Sequence, residues 1–356
     1  MARSRALILS KNLWLEPMKI KDLGEFGLIH RIARFLPSRA PGVVVGIGDD
    51  VAVLDTGGEE YLLATCDIQV EGVHFVSRAI SASQLGRRVA AINVSDIAAM
   101  GGYPSWALVS LALTPETDVV FVDGLYEGMR EQLGEAGAVV VGGNLSKIAT
   151  GTVIDMCLLG AVDPTRLVLR NGARENDLIL VTGTLGDSRG GLELLMAPAY
   201  EVSESCRRLL LEKHLTPRPR LGEGQSLGKC GRVHAMADVS DGLLSDVRHI
   251  CGASRLGAEI WVNELPVSTA CREAARACGA DAFSWAMTGG EDYELVFTVD
   301  PRDAPQVRKI LEAETGTECT VVGRMLRREQ GIHAVFPDGT RVEWSTEAAG
   351  WDHFAF

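Results

Sequence analysis

Apolar residues recur at three- and four-residue spacing over 22–36 (Leu23, Phe26, Leu28, Ile29, Ile32, Phe35) and stop at Pro37, which predicts a helix. The run VVVGIGDDVAVLD predicts two β-branched strands around a Gly-Asp turn. YLLATCDIQVEGVHF predicts a further strand leading into a loop with acids at Asp67 and Glu71. Residues 82–100 have strong helical propensity and are stopped by Gly101, Gly102 and Pro104. A strand (WALVSLALT), a helix over about 116–136 and two more strands (AVVVGGN and TVIDMCLLGAV) follow.

Near Asp163-Pro164 the pattern restarts. DLILVTGTLGDSRGGLELL predicts strand, Gly-rich turn and helix, and the Pro-rich TPRPR precedes a helix beginning near Leu221. In AMADVSDGLLSDVRHIC a strand runs into an acidic turn and an amphipathic helix. WAMTGGEDYELVFTV predicts strand, Gly-Gly-acid turn and strand. A helix over 304–314, strands over 319–326 and 332–336, and the aromatic tail GWDHFAF complete the chain. The fold class expected is α+β, with two mixed α/β-layer domains at 18–163 and 164–356 behind an N-terminal extension, 1–17.

Composition narrows the function. A net charge of −12 over 356 residues repels a nucleic-acid backbone, but a free nucleotide can bind through a metal that bridges carboxylates to phosphates. None of the eight cysteines forms a C-x-x-C pair or sits at zinc-finger spacing from a histidine, which suits reduced thiols in a cytoplasmic protein. No apolar run approaches the roughly 20 residues of a membrane span, and the N-terminus lacks a signal-peptide pattern.

Acids gather where apolar strands or helices end: Asp49 and Asp50, Asp67, Asp96, Asp238 and Asp241, Glu291 and Asp292. Singly, each has a local explanation; Asp50 can form a turn, and Asp241 can cap the following helix. Asp96 is harder to explain locally. It lies in AAINVSDIAAMG with no Lys or Arg four residues away on its face, and a buried carboxylate needs a partner or a cation. The turns GIGDD, VTGTLGDS and TGGEDYE offer close-approach backbone for phosphates. No Walker-type P-loop, dinucleotide fingerprint or nucleophile–base pattern is present, so the inventory fits metal-assisted phosphoryl transfer. If the acceptor is itself a phosphate oxygen, it is already ionised near neutral pH and needs no general base, so no catalytic side chain is assigned.

Together, GIGDD, TCDIQVEGVHF, NVSDIAAMGGYP, VTGTLGDSRGGL, HLTPRPR, DVSDGLLSDVRHI, TGGEDYEL and GWDHF resemble the thiamine-monophosphate kinase family over about 18–356. That family is similar to aminoimidazole ribonucleotide synthetase, selenophosphate synthetase and a hydrogenase maturation protein. The resemblance implies a homodimer with a β-barrel shared by the N-terminal domains, ATP as co-substrate, several Mg²⁺ ions and thiamine monophosphate as acceptor. It implies that Asp50, Thr65, Asp67, Asp96 and Asp238 ligate Mg²⁺ and that Asp241 holds a further ion. Tyr126, Gly143, Asn144, Arg170 and Ser240 would contact ATP; His74, Glu291 and Trp351 would contact the thiamine phosphate. Two positions depart from the family pattern: Cys66 stands where Thr or Ser is usual, and Asn144 where Asp is usual. Both fall on one expected metal position, where a weaker ion follows.

Two rival readings stay open. One is another ATP-using reaction of the same superfamily, although no Cys-Gly-rich N-terminal segment and no terminal cysteine is present. The other is a nucleotide-binding protein with weakened catalysis.

Overall fold

The structure, a computed structural model, describes residues 19–36 and 40–344, apart from the side chain of Phe26. The chain divides into two units, Met1–Arg39 with Asp352–Phe356, and Ala40–Trp351. Among its described residues the first holds a short 3-10 helix, Ile20–Asp22, and one α-helix, α1 (Gly24–Ala33), the latter within the span its spacing predicts.

The second unit contains two open mixed sheets. The first comprises β1 (Val43–Val45), β2 (Ala52–Leu54), β3 (Tyr61–Val70), β4 (Tyr103–Leu113), β5 (Val139–Lys147) and β6 (Val153–Val162), in the order β1-β2-β3-β6-β4-β5. Neighbours are antiparallel except β4 and β5. Helix α2 (Ala82–Ala99) joins β3 to β4, and α3 (Val119–Glu135) joins β4 to β5.

The second sheet comprises β7 (Leu178–Thr182), β8 (Val233–Asp238), β9 (Leu256–Trp261), β10 (Leu295–Val299), β11 (Cys319–Arg327), β12 (Ile332–Val335) and β13 (Arg341–Glu343). Its order is β13-β12-β9-β11-β7-β10-β8, parallel only between β9 and β12. Helices α4 (Asp187–Met196), α5 (Glu204–Leu215), α6 (Leu221–Cys230), α7 (Leu243–Ser254), α8 (Thr269–Cys278), α9 (Ala282–Thr288) and α10 (Ala304–Thr315) complete it. One expectation is corrected. The segment WAMT is the end of α9 and not a strand, because Asp281 accepts hydrogen bonds from the Phe283 and Ser284 amides and starts a helix there.

Helix α2 places the site. Ser81 and Gln84 close a capping box at its start, and Gly101 (φ +71°) provides the left-handed exit. It packs on β3 of the first sheet and also on α3, α6 and β8, so nearly every side of it is buried. The α3 contact is backbone-close: a Cβ added at Gly86 would fall 2.0 Å from the Leu125 carbonyl oxygen, and one at Gly128 2.0 Å from that of Ser83. A polar residue on α2 must therefore find its partner inside the protein.

Candidate active site

Three carboxylates from distant parts of the chain meet around α2. Asp50 lies in the turn before β2, Asp96 in the last turn of α2, and Asp238 at the end of β8. One oxygen from each lies within 4.8 Å of the other two. Thr65 donates to Asp96 Oδ2 at 2.5 Å, and Ser95 donates to Asp238 Oδ2 at 2.7 Å. Arg170 donates to Asp50 Oδ1 through Nη2 at 2.5 Å and Nε at 3.1 Å, and its amide donates to Asp49.

One cation does not neutralise these acids. Burial, then Asp50, pushes Asp49 and Asp238 up to about 7. Burial, then Asp155 and Asp50, pushes Asp67 up to about 6; burial and the surrounding carboxylates hold Asp96 well above the ordinary range. Asp50 Oδ2 and Asp238 Oδ1 are buried and accept no hydrogen bond. Hard oxygen donors with excess negative charge and vacant lone pairs fit a divalent cation such as Mg²⁺.

The other expected residues are distributed unevenly. Asp67 faces inward on β3, next to this group. Cys66, one residue earlier, faces the opposite side of the sheet, where its thiol donates to Asp155 Oδ1 at 3.1 Å. Burial, then Asp155, pushes that thiol up to about 12, so it remains protonated. Gly143 and Asn144 lie on the edge strand β5, paired with Val109 and Ser110. Three strand spacings, about 14 Å, separate them from β3. Tyr126 is half-buried on α3, and burial raises its hydroxyl above the usual range. Ser240 and Glu291 adjoin, since the Glu291 amide donates to the Ser240 carbonyl at 2.7 Å. His74 Nδ1 accepts from the Val70 amide at 2.9 Å. Asp241 belongs to a separate group with Asp246 and His249. Trp351 lies outside the described residues.

Sequence reasoning missed Arg88, although it carries the signal that singled out Asp96, a charge inside an apolar helix. Arg88 is 1 % exposed, pairs with Glu291 and donates to the His214 carbonyl at 2.5 Å. Burial, then Arg88, drives His214 down to about 3, so its ring is neutral where it lies 3.5 Å from Glu291. Glu291 itself sits at φ +67°, unusual for a residue with a side chain. Arg88→Met should therefore destabilise the fold by about 1–3 kcal/mol in urea titrations, because the His214 carbonyl and the part-buried Glu291 lose their charged donor. Arg88→Lys should recover part of that loss.

The fold and this acid-rich centre define a class. Two family models match the chain: AIR synthase related protein, N-terminal domain, over 48–162, and AIR synthase related protein, C-terminal domain, over 174–335. A thiamine-monophosphate kinase from Aquifex aeolicus is 37 % identical over 337 residues, 95 % of this chain and 100 % of the relative. One from Salmonella typhimurium is 35 % identical over 332 residues, 93 % of this chain and 98 % of the relative. A solved structure described as AaThiL complexed with AMPPCP and TMP superposes with a TM-score of 0.80 at 35 % identity, covering 95 % of this chain and 99 % of the other. Within the AIR synthase-related class, the chain belongs to the thiamine-monophosphate kinase family.

Proposed function

We propose that this chain transfers the γ-phosphoryl group of ATP to thiamine monophosphate, releasing thiamine diphosphate and ADP. The observation that carries the reading is the Asp50–Asp96–Asp238 group with its unpartnered oxygens, in a chain whose family relatives carry that name. Asp50, Asp96 and Asp238, with Asp67 and Thr65 beside them, would hold Mg²⁺. Bound there, Mg²⁺ supplies charge neutralisation for clustered phosphates.

The chain's own residues supply position. Arg170, fixed by Asp50 and Asp49, presents a guanidinium to nucleotide phosphate oxygens. Arg88 holds Glu291 in place for the thiamine moiety. An acceptor phosphate oxygen attacks the γ-phosphorus while its bond to the β-phosphate oxygen breaks, and no side chain has to take a proton. We place Gly143, Asn144, Tyr126 and Ser240 with ATP, and His74 and Trp351 with the acceptor.

The reading includes a homodimer whose first sheets pair into a shared barrel. Its support is the outer sheet face and edge, where Ile68, Trp106, Leu108, Val139 and Leu145 are exposed. A cytoplasmic setting is supported by eight free cysteines, and no helix among the described residues is long and apolar enough to cross a membrane.

The test is ADP release from ATP and Mg²⁺ with and without thiamine monophosphate, with thiamine diphosphate followed by chromatography. The expected result is one thiamine diphosphate per ADP, only when the acceptor is present. Bound ATP without acceptor-dependent ADP overturns the reading.

A further inference from the structure

A cavity of about 400 Å³, the size of a small-molecule site, lies beyond the exit of α2. Gly101 and Tyr103 border it, as do Glu60 before β3 and the link after β6, with Asp163 and Arg166. Helix α6 contributes Gly222, Ser226 and Lys229, whose spacing puts them on one face, and α10 contributes Glu314. None of these residues is among those placed with metal, nucleotide or acceptor above.

Ser226 marks the wall as incomplete. It is 4 % exposed, and its Oγ has no hydrogen-bond partner. A serine inside a helix can bond back to the carbonyl four residues earlier, here that of Gly222, which also lines the cavity. Ser226 makes no such bond. A buried hydroxyl left open on the wall of a cavity points to a ligand that completes it.

The charge of the wall selects the ligand. Three carboxylates, Glu60, Asp163 and Glu314, stand against two cations. Lys229 Nζ lies 3.6 Å from Glu314 and Arg166 Nε 3.8 Å from Asp163, so both acids keep room to accept a hydrogen bond. Glu60 pairs with no cation among the described residues; its Oε2 accepts from the Tyr103 hydroxyl at 2.5 Å. The surplus charge is therefore negative and belongs to Glu60.

Among the described residues, the carboxylates of this wall do not converge as Asp50, Asp96 and Asp238 do, so they form no cage for a bare metal ion. An organic ammonium suits them better, because one small group carries several N–H donors to acceptors that stand apart. Tyr103, 41 % exposed beside Glu60, adds an aromatic ring that a cation can approach.

We infer that this cavity binds a small organic ammonium ion, whose N–H groups donate to Glu60 and to Ser226 Oγ. The site needs neither ATP nor Mg²⁺, so it stands apart from the phosphoryl-transfer reading.

Isothermal titration calorimetry on the full-length protein tests it, with straight-chain butanediamine as the probe. Butanediol and succinate serve as neutral and anionic chains of equal length, and salt at about 150 mM screens general attraction to the acidic surface. The expected result is saturable binding of one diamine per chain and no binding of the diol or succinate. Glu60→Gln should weaken the diamine at least about 10-fold, the effect of losing a charged hydrogen bond, and Ser226→Ala roughly 3-fold. Gly222→Leu should abolish binding by filling the cavity. A Cβ there first meets Thr315 Cγ2 at 4.0 Å, an ordinary contact that leaves the backbone in place.

The assignment is overturned by diamine heats that do not saturate, by diol or succinate binding as well as the diamine, or by affinity unchanged in Glu60→Gln. If Gly222→Leu does not fold, Glu60→Gln still decides, since Glu60 is an exposed residue outside the core. No outcome depends on kinase turnover, which is scored separately by its own assay.

Discussion

Asp96→Asn should turn over on the order of 10²–10³-fold more slowly, the loss typical when one preorganised charge-stabilising group is removed, while its metal-free fold becomes more stable. The two effects share a cause. Asp96 is buried among Asp67, Asp238 and Asp50, so its charge is repelled from three sides unless a cation intervenes. Asparagine keeps the shape and the oxygen that accepts from Thr65. It removes the charge and with it one of the oxygens that would hold Mg²⁺. Steady-state kinetics and thermal unfolding in chelator read the two halves separately. A variant that is slower and less stable would instead make Asp96 a structural acid, and one that is unimpaired would remove the acid cluster from the reaction.

The second large effect is on pH. Asp49 and Asp238 lie near 7 and Asp67 near 6, against an ordinary 3.8, so the folded chain holds these protons more tightly than the unfolded chain. Their contribution to stability is therefore fully present only below the ordinary 3.8 and is lost as pH rises from there through the 6–7 region. His214 and His249 act oppositely. Burial, then neighbouring arginines, takes both from 6.5 to about 3, so the folded state loses ground as pH falls below 6.5. Without metal, the three raised acids outweigh the two lowered histidines, so stability should decline from pH 6 to pH 8, by roughly 2–4 °C in melting temperature for each kcal/mol. Saturating Mg²⁺ binds the deprotonated carboxylates and should reverse the order, making pH 8 the more stable condition. Differential scanning calorimetry at the two pH values, in chelator and in Mg²⁺, checks the sign. An apo protein more stable at pH 8 would contradict the shared burial of these acids.

How much of this was legible in the chain depended on the range of the interaction. Helix α2 was readable because its capping box, its apolar run and its Gly101 exit all act within a few residues. WAMT misled because its apolar residues suit a strand as well as a short buried helix, and the Asp281 cap decided the matter. Strand β9 drew no expectation, since LGAEIW becomes a strand through its neighbours β11 and β12. Among site residues, Asp96 announced itself by sitting charged in an apolar run. Arg88 carried the same signal, but its partner Glu291 is 203 positions away.

By itself the sequence determined the periodic elements, the acids at their ends, and motifs specific enough to assign the family. Those properties are local, because helix and strand periods and turn chemistry are enforced residue by residue. Only the tertiary structure decided which acids meet. Ser95 reaches Asp238 across 143 positions, and Asp50 is paired with Arg170 across 120. Only strand order set Asn144 three strands from the cluster. Burial then gave the grouped carboxylates their chemistry, since desolvation and mutual repulsion arise from packing and have no counterpart in the extended chain.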